Sequence, residues 1–350
     1  MKILVTGAAG FIGSFTCRKL IKHSHDVVGI DNFDPFYSIK AKKFNIDLIN
    51  LYAKKQTSYF DLKEVQNILN LLHRKRGEGT YKFYNLDILH QDKLENLFSE
   101  NDFDAVIHLA AMAGVPHSIK LPIKYTNVNI KGTQNLLELC VKYSIKNIIF
   151  ASSSSVYGNC EEVPFKEELD VDFPISPYAA TKRMGEILNY TYHHLYNLNI
   201  SNLRFFTVYG PLQRPYGMAI QKFIKQTYNK QKMTIYGDGS MSRDYTYIED
   251  ITDGILKAIQ KNKGYKIFNL GNNSSIDLIK LTDLIKENMG AGSITNVKAP
   301  PTEVPITYAD IRKANKVLGY DPKTKIEEGI QKQIEIFLAM PKWYKKLHLK

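Results

Sequence analysis

Residues 2–13, KILVTGAAGFIG, run an apolar segment straight into three glycines. A short apolar strand, a glycine turn and an amphipathic helix form the first unit of a dinucleotide-binding fold, where backbone N–H groups approach a pyrophosphate. The spacing is GxxGxxG rather than GxGxxG, and three glycines alone are weak evidence because many turns use them. The strand before and the helix after make the context the expected one. We therefore predict a nucleotide-binding turn made by Gly7, Gly10, Phe11, Ile12 and Gly13.

The second apolar run ends on an acid, Asp31. A carboxylate at this point would hold ribose hydroxyls and repel a 2′-phosphate, which favours NAD over NADP. Asp31 could instead be a turn or N-cap acid before Asn32, because the next acid at a strand end, Asp87 in YNLDIL, could serve the adenine side of the cofactor. We therefore retain Asp31, Asp87 and the adjacent Ile88 as candidate cofactor residues.

Apolar runs alternate with amphipathic stretches through the first half of the chain. The runs end at Thr6, Ile30, His108, Ala151 and Phe206, and helices are predicted near residues 11–24, 91–99, 116–142 and 177–198. This alternation predicts an α/β fold with a doubly wound parallel sheet of the Rossmann type. Residues 32–80 are interpreted as an insertion of one or two extra helices at a sheet edge.

The second half of the chain contains more turn residues and shorter helical segments. Helices are predicted near residues 217–230, 249–261, 275–288 and 325–339. We predict an NAD-binding Rossmann domain over residues 1–200, to which residues 201–210 and 245–262 return. Most of residues 211–350 would then form a smaller α/β substrate-binding lobe.

Composition argues against several other classes of protein. The 350 residues are 44% hydrophobic and 23% charged, which is typical of a globular chain, and no apolar run approaches the roughly 18–20 residues of a membrane span. We expect a cytoplasmic protein without a membrane partner. Three cysteines lack the spacing of a disulfide framework or a zinc site, so no metal is predicted.

The net charge of +12 raises the possibility of a nucleic-acid partner. The basic residues are spread along the chain, and local clusters such as residues 73–76 come without a nucleic-acid motif. We interpret them as solvated faces and expect no specific nucleic-acid partner. A phosphate-bearing small substrate would benefit from the same positive field.

Tyr178 and Lys182 are four residues apart in PYAATK, on one face of a predicted helix. Chance alone produces such pairs in a chain with 22 Tyr and 47 Lys plus Arg. The preceding strand, IIFASSSSVYG, gives this pair meaning because it ends on four hydroxyls, Ser152 to Ser155. A neighbouring cation favours the tyrosinate, which would make Tyr178 usable as a base near neutral pH.

Together these motifs resemble the extended branch of the short-chain dehydrogenase/reductase superfamily, the nucleotide-sugar epimerases and dehydratases. The resemblance covers nearly the whole chain. It rests on the glycine turn, HLAA (residues 108–111), Asn129, SSSSVYG, PYAATK, LRFFTVYGP (203–211) and GDGSMSRDYTYIEDI (237–251). It implies that Tyr178 is the catalytic base, that Lys182 orients the nicotinamide ribose and lowers the tyrosine pKa, and that Ser153 binds the sugar oxygen being oxidised. It also assigns Ala110 and Asn129 to the NAD site.

The residues after Ser153 discriminate between reactions. Related dehydratases carry Asp-Glu at the next two positions, and related decarboxylases carry a Glu in this loop, where this chain has Ser154 and Ser155. Serine cannot supply the acid and base that elimination needs. Simple oxidation followed by return of the hydride is therefore favoured.

Within the epimerases, the closest resemblance is to the UDP-glucuronic acid 4-epimerases. AGVPHS (113–118) and RFFTVYGPLQRP (204–215) match their signatures, and Thr207 stands where UDP-galactose 4-epimerases usually have Asn. The resemblance implies that Arg214 lies near the sugar carboxylate, which a guanidinium can bind bidentately. One departure is Pro116, where family members commonly have Arg, so that His117 or another base would have to substitute.

The resemblance thus predicts NAD-dependent 4-epimerisation of UDP-glucuronate to UDP-galacturonate. It also implies a homodimer, because the helices near 91–99 and 116–142 resemble those that pair in dimeric relatives. Two alternatives stay open: epimerisation of UDP-glucose or UDP-N-acetylglucosamine, and a non-catalytic dinucleotide-binding or RNA-binding protein, although such proteins often lose the Tyr–Lys pair. The candidate substrate residues are Val115, Ser118, Ser154, Ser155, Thr207, Arg214, Lys222 and Arg243.

Overall fold

The computed structural model describes residues 1–72, 78–214, 218–300 and 304–347. The basic cluster at 73–76, the start of the predicted helix 217–230 and the Pro215 end of the RFFTVYGPLQRP motif lie outside the described residues. In chain order the strands are β1 (Lys2–Thr6), β2 (Asp26–Asp31), β3 (Tyr81–Asn85), β4 (Ala105–His108), β5 (Asn147–Ser153), β6 (Asn199–Phe205), β7 (Thr207–Tyr209), β8 (Met233–Tyr236), β9 (Ser242–Arg243), β10 (Tyr245–Tyr247), β11 (Tyr265–Leu270), β12 (Ile276–Asp277) and β13 (Ile294–Val297).

The α-helices follow the same numbering. They are α1 (Phe11–Lys22), α2 (Ile39–Tyr52), α3 (Leu62–Leu72), α4 (Gln91–Ser99), α5 (Val115–Lys120), α6 (Pro122–Thr126), α7 (Gly132–Lys142), α8 (Pro177–Tyr196), α9 (Ala219–Tyr228), α10 (Ile248–Gln260), α11 (Leu278–Met289), α12 (Arg312–Leu318), α13 (Ile326–Ala339) and α14 (Lys342–Lys345). A π-helical turn covers Asn127–Lys131, and a 3-10 turn covers Ser154–Tyr157. None of the described helices is long and apolar enough to cross a membrane.

Seven strands form one parallel sheet in the order β11-β6-β5-β4-β1-β2-β3. The chain proceeds outward from β1 in one direction through β2 and β3, and in the other through β4, β5, β6 and β11. Where the direction changes, Thr6 of β1 lies opposite His108 of β4. Ligands of open α/β sheets bind beyond the carboxyl ends of the strands at such a switch point. The predicted Rossmann-type α/β fold is confirmed.

Alternate residues of the central strands enter different cores on the two faces of the sheet. Ile3 and Val5 pack in a cluster with side chains of α1 and α10, whereas Leu4 and Val106 pack in a cluster with α4 and α7. Both faces are therefore covered, as a parallel sheet requires, which explains why its strands are continuous apolar runs.

The predicted helix over 116–142 is divided into four pieces. A break falls at Leu121, whose φ of −132° is not helical, and Pro122 starts the next helix. Proline has no N–H for the preceding turn, so a continuous helix cannot pass this point. By contrast α1, α4 and α8 begin at the predicted residues and end within two residues of the predictions.

The second half of the chain combines small strand pairs with helices α9 to α13. The pairs are β7 with β10, β8 with β13 and β9 with β12. Residues 265–270, which sequence reasoning did not single out as a strand, form β11 and extend the main sheet beside β6. The exact division of the chain into two domains stays a prediction.

The described residues of the insertion over 32–80 form two helices, α2 and α3, within the predicted one or two. The Asn45 Nδ2 of α2 donates to Ala9 O in the glycine turn at 2.9 Å. At the other end of the insertion, the Phe60 ring stacks on Trp343, which comes from the last helix, with ring centres 5.3 Å apart. The insertion therefore joins the nucleotide-binding turn to the C-terminal segment.

Candidate active site

The glycine turn after β1 is held by contacts that leave no room for side chains. Gly7 has a φ of +71°, and a Cβ placed on it would lie 2.8 Å from the Ala110 N. A Cβ on Gly13 would lie 2.0 Å from the Gly7 carbonyl oxygen. Gly10 is the N-cap of α1, so the first N–H groups of this helix, from Phe11 and Ile12, lie at the turn. Only glycine permits this close packing, and the turn suits the diphosphate of a dinucleotide.

Asp31 ends β2 and shapes the loop that follows. Its Oδ1 accepts the Phe33 N–H at 2.8 Å and lies 3.5 Å from the Lys42 Nζ, which makes it a turn acid as the alternative interpretation proposed. A carboxylate has two oxygens and can accept several hydrogen bonds, so this turn is compatible with a ribose contact as well. Asp87 accepts the Asn32 Nδ2 at 2.7 Å, which places the two candidate acids on the same loop cluster.

Ile88 and Asn129 lie on the opposite side of the turn. The Ile88 side chain packs against Gly132, where a Cβ would approach within 2.5 Å. Asn129, in the π-helical turn, accepts the Met112 N–H at 2.8 Å and donates to the Met112 carbonyl at 3.0 Å and to Thr181 at 2.9 Å. Asn129 therefore connects the loop after β4 to α8, and its side-chain oxygen and nitrogen both form hydrogen bonds with other residues of the protein.

A buried histidine connects β1 with β4. His108 Nδ1 lies 2.8 Å from the Thr6 hydroxyl, which in turn accepts the Ala110 N–H at 3.1 Å. Burial, with a smaller contribution from the Lys182 charge, lowers the His108 pKa to about 3. The ring is neutral at physiological pH. Through the Thr6 hydroxyl it helps to position Ala110 over the glycine turn.

The serines that end β5 turn into the site as a 3-10 turn. Ser155 donates to the Ser153 Oγ through its N–H at 3.2 Å and through its hydroxyl at 2.9 Å. Ser152 points the other way, because it is buried and donates to Glu186 at 2.6 Å. Ser153, Ser154 and Ser155 are only partly buried. The four serines therefore divide into one buried structural residue, Ser152, and three that are partly exposed at the carboxyl end of β5.

Tyr178 lies in the first turn of α8, which Ser176 caps by accepting the Ala179 N–H at 3.1 Å. Burial raises the Tyr178 pKa above its ordinary value, while a hydrogen bond with Ser153 and the Arg214 charge lower it. The Tyr125 ring packs edge-on against Tyr178 at 6.1 Å. Phenol, serine hydroxyl and guanidinium are thus brought together from three distant parts of the chain.

Lys182 lies one turn further along α8 and is almost completely buried. Its Nζ donates to the Ala151 carbonyl at 2.6 Å, and burial lowers its pKa to about 7, partly opposed by the charge of Glu186. Lys182 is not among the groups that lower the Tyr178 pKa in this structure. In this structure Ser153 and Arg214 lower the Tyr178 pKa, and the effect of the lysine charge on the tyrosine stays a prediction.

Arg214 and Thr207 come from the segment after β6. Arg214 Nη1 donates to the Ala113 carbonyl at 3.0 Å, and its guanidinium lies 5.3 Å from the centre of the Phe36 ring. Thr207 begins β7, where its N–H donates to the Asp244 carbonyl at 3.0 Å. Arg214 is therefore placed near Tyr178 and against the AGV loop.

The other candidate substrate residues are placed in different ways. Val115 starts α5 and is partly exposed, but Ser118 is fully buried and donates to the Val115 carbonyl at 2.7 Å, so it can act on a ligand only by holding this turn. Lys222 donates to the Thr234 carbonyl at 3.3 Å, and burial lowers its pKa. Arg243 Nη1 donates to the Ser242 carbonyl at 2.8 Å. Lys222 and Arg243 thus lie on α9 and β9, in the second half of the chain.

Sequence reasoning missed the residues that support the site from behind. Glu186 and Arg204 form a buried ion pair, and Asn269, left without a role, donates to the Phe165 carbonyl at 2.8 Å and accepts the Tyr157 hydroxyl at 2.7 Å. Phe36 was treated as part of an unexplained insertion. The charged residues in the apolar surroundings of YAATKRMGE and LRFF were the available signal for the ion pair, whereas no local pattern marks Phe36.

These residues fit a dinucleotide cofactor. The glycine turn provides the cradle that a Cβ would fill, the first turn of α1 provides N–H groups, and Asp31 lies at the end of the next strand. Lys182, Tyr178 and Ser153 lie beyond the carboxyl ends of neighbouring strands of the same sheet, where the reacting end of such a cofactor would be expected.

Comparison with known proteins agrees with this arrangement. The NAD dependent epimerase/dehydratase family matches residues 3–271. The UDP-glucuronate 4-epimerase of Thermodesulfobacterium geofontis (strain OPF15) is 39% identical over 333 residues, which cover 95% of this chain and 94% of that protein.

Two solved structures are similar over their full length. The UDP-glucuronic acid 4-epimerase from Bacillus cereus in complex with UDP-glucuronic acid and NAD has a TM-score of 0.82 and 36% identity, covering 96% of this chain and 98% of that chain. The UDP-glucose 4-epimerase from Thermotoga maritima with UDP-glucose has a TM-score of 0.80 and 31% identity, covering 97% and 99%. With its glycine cradle and its Ser–Tyr–Lys constellation, the chain belongs to the NAD-dependent epimerase/dehydratase family and uses NAD as its cofactor.

Proposed function

We propose that this enzyme interconverts UDP-glucuronate and UDP-galacturonate by inverting C4 of the sugar. Its family and relatives make it an NAD-dependent isomerase that acts on a UDP-sugar. The observation that carries the choice of a uronic acid is the position of Arg214, whose charge acts directly on the Tyr178 phenol. A guanidinium beside the catalytic base offers a planar carboxylate two parallel hydrogen bonds.

The proposed chemistry needs only proton handling from the protein. Bound NAD+ accepts the hydride from C4 and later returns it to the opposite face of the sugar. Tyr178 takes the proton of the 4-hydroxyl and gives it back at the end of the cycle, while Ser153 holds the same oxygen. The Ser155 hydroxyl donates to Ser153 at 2.9 Å, which leaves the Ser153 proton to point at the substrate or the phenol.

The 4-keto sugar must rotate between the two hydride transfers, so that it presents its opposite face to the cofactor. A diphosphate held away from the reacting centre supplies binding energy that does not depend on which face of the sugar is presented. We assign this anchoring to Arg243, with Lys222 as a weaker contributor. Ser154 and Ser155 supply no acid or base for elimination, so the keto sugar is not diverted toward loss of water.

A neutral UDP-sugar is the second candidate substrate. It is favoured by Pro116, which stands where family members commonly have Arg, and by the similarity to the Thermotoga maritima UDP-glucose 4-epimerase. His117 does not replace that Arg as a cation, because burial and the charges of Arg214 and Lys120 lower its pKa. Recognition of a carboxylate would then depend on Arg214.

Incubation of the purified protein without added NAD distinguishes these substrates. UDP-glucuronate and UDP-glucose are supplied separately, and the 4-epimers are resolved by chromatography. We expect conversion of UDP-glucuronate to UDP-galacturonate, because the cofactor is regenerated in each turnover and should stay bound. Conversion of the neutral sugar alone would contradict the uronic-acid assignment but not the mechanism.

Substitution of Arg214 provides the matched test. Arg214→Met should lower kcat/KM for UDP-glucuronate about 10- to 100-fold, the effect of one or two charge-assisted hydrogen bonds. UDP-glucose shares only the part of the loss that comes through the Tyr178 pKa, so its loss should be the smaller of the two. Equal losses with both sugars would show that Arg214 does not read the carboxylate.

We further propose that the protein is a homodimer. Helices α5 and α6 both contact α8, and the three helices expose large apolar side chains, of which Ile123 is 76% and Leu195 is 61% exposed. The other members are Ile119, Met184, Ile187 and Tyr190. Helix α4, which the sequence suggested as a pairing helix, exposes polar residues instead, so we assign pairing to α8.

Light scattering after size exclusion tests the dimer. Ile187→Asp would place a charge in the buried face and should yield a monomer. Val317→Asp, on α12 away from these helices, removes an apolar side chain that is 42% exposed, against 50% for Ile187, and should leave the mass unchanged. A monomeric wild-type protein at micromolar concentration would contradict the assignment.

A further inference from the structure

The Arg214 guanidinium is held on several sides before any substrate binds. Its Nη1 donates to the Ala113 carbonyl at 3.0 Å, and its Nη2 lies 3.8 Å from the Met218 sulfur. Gly114 has a φ of +108°, and a Cβ there would lie 3.1 Å from Nη2. The face of the Phe36 ring completes this enclosure, at 5.3 Å from the guanidinium carbon.

Phe36 reaches this point because the start of the insertion is tightly folded. Its N–H donates to Asp34 Oδ1 at 2.8 Å, and the other Asp34 oxygen pairs with Lys124 of α6 at 2.7 Å. The Phe36 ring also packs edge-on against His117, with ring centres 5.1 Å apart and planes at 78°. The ring is therefore fixed from both the insertion and the AGVPHS loop.

We propose that Phe36 is a specificity-determining residue that acts by orienting Arg214 for the sugar carboxylate. This inference rests on the proposed function. An aromatic face attracts the flat side of a guanidinium, while the N–H groups in the guanidinium plane remain able to donate to a carboxylate. A guanidinium ordered in advance loses less freedom on binding, which strengthens the complex without a new contact to the ligand.

The insertion thereby acquires a role in substrate choice. Relatives commonly have a second cation at the Pro116 position. In this chain the neighbouring His117 packs against the Phe36 ring instead. Burial and the charges of Arg214 and Lys120 lower the His117 pKa. Carboxylate recognition then depends on how well the single guanidinium of Arg214 is held. Phe36 holds it from a segment 178 positions earlier in the chain.

Selectivity between two sugars provides the test. In the NAD-containing enzyme, Phe36→Leu should lower the ratio of kcat/KM for UDP-glucuronate to kcat/KM for UDP-glucose about 2- to 30-fold, the range of a cation–π contact, mostly through KM for UDP-glucuronate. Phe36→Tyr keeps the ring and should keep the wild-type ratio. Phe60→Leu removes another ring of the same insertion, stacked on Trp343, and should also keep the ratio even if stability falls.

A double substitution separates orientation from direct contact. In an Arg214→Met background, Phe36→Leu should cause no further loss of selectivity; a further loss of the same size would show that Phe36 touches the sugar itself and would overturn the proposal. An unchanged ratio in Phe36→Leu, in an enzyme that converts UDP-glucuronate, would overturn the role of Phe36 alone. A wild-type enzyme that converts UDP-glucose but not UDP-glucuronate would instead overturn the proposed function.

Discussion

Glu186 and Arg204 form a two-point ion pair directly behind the serine end of β5. Arg204 Nε donates to Glu186 Oε1 and Nη2 donates to Oε2, both at 2.9 Å, and the two side chains are at most 1% exposed. Ser152 adds a third donor to the carboxylate at 2.6 Å. Glu186 also lies one turn after Lys182 on α8, so a single buried carboxylate connects the catalytic helix with β5 and β6.

Breaking this pair should strongly lower the free energy of unfolding of the protein. Glu186→Gln leaves the Arg204 charge buried without its counter-ion, and we expect a loss of about 3–5 kcal/mol in the free energy of unfolding. Denaturant titration measures this loss. Glu328→Gln, which breaks an exposed pair with Lys332 on α13, should change stability little. Equal effects of the two substitutions would contradict the importance of the buried pair.

The pH dependence of catalysis should respond to Arg214. The base form of Tyr178 increases with pH, so kcat/KM for UDP-glucose, which has no carboxylate, should rise through the Tyr178 pKa. Because the Arg214 charge lowers this pKa, Arg214→Met should move the rise to higher pH, by up to about one unit. Lys222→Met also removes a positive charge, but one that does not act on Tyr178, and should leave the rise in place. An unshifted profile in Arg214→Met would contradict this link.

The stability of protein freed of NAD should depend on pH through Lys182. Burial lowers the Lys182 pKa from 10.5 to about 7, so between these pH values the unfolded chain binds more protons than the folded protein. Stability from this group therefore rises with pH across the window and is lost as pH falls toward 7, with a slope of at most about 1.4 kcal/mol per pH unit.

Lys182→Met removes this contribution, so the wild type should gain stability relative to the variant as pH rises from 7 to 10. Denaturant titrations at several pH values measure the difference. Lys142→Met removes a surface lysine paired with Glu95, and its free energy of unfolding should change with pH as that of the wild type does. A constant difference between wild type and Lys182→Met would mean that Lys182 stays protonated in the fold.

Gly13→Ala should abolish retention of NAD. The new Cβ would lie 2.0 Å from the Gly7 carbonyl oxygen, so the turn and α1 must separate. Nucleotide released from the denatured, purified protein should fall from near one equivalent in the wild type to a small fraction, measured by chromatography. Gly290→Asn, at the open C-terminal end of α11 with a φ of +65°, should retain the wild-type amount. Full retention in Gly13→Ala would contradict the role of the turn.

Much of the fold could be predicted, and the candidate site located, because the signals are local. The KILVT strand, the three glycines, the serine end of β5 and the Tyr–Lys spacing each lie within a few residues. Their physical requirements, a positive φ at Gly7 and two side chains on one helix face for Tyr178 and Lys182, depend on the immediate backbone. The break of the predicted 116–142 helix at Pro122 was equally local and could have been read from the same rules.

Other features arise from residues that meet only when the chain is folded. Turn residues bracket β11, with Gly264 before it and Gly271 after it, so a strand could have been predicted there; its place at the edge of the main sheet is decided by its pairing with β6. The direction in which the Tyr178 pKa shifts depends on how deeply the phenol is buried and on which charges lie near it. Here the Arg214 charge acts on the phenol, and Lys182 donates to the Ala151 carbonyl. Burial and the distances between side chains are set by the packing of the whole molecule, whereas helical spacing is set by neighbouring residues alone. The contact of Phe36 with Arg214 is of the same kind: the residue types were visible in the chain, but their proximity is a product of packing between the insertion, the AGVPHS loop and the segment after β6.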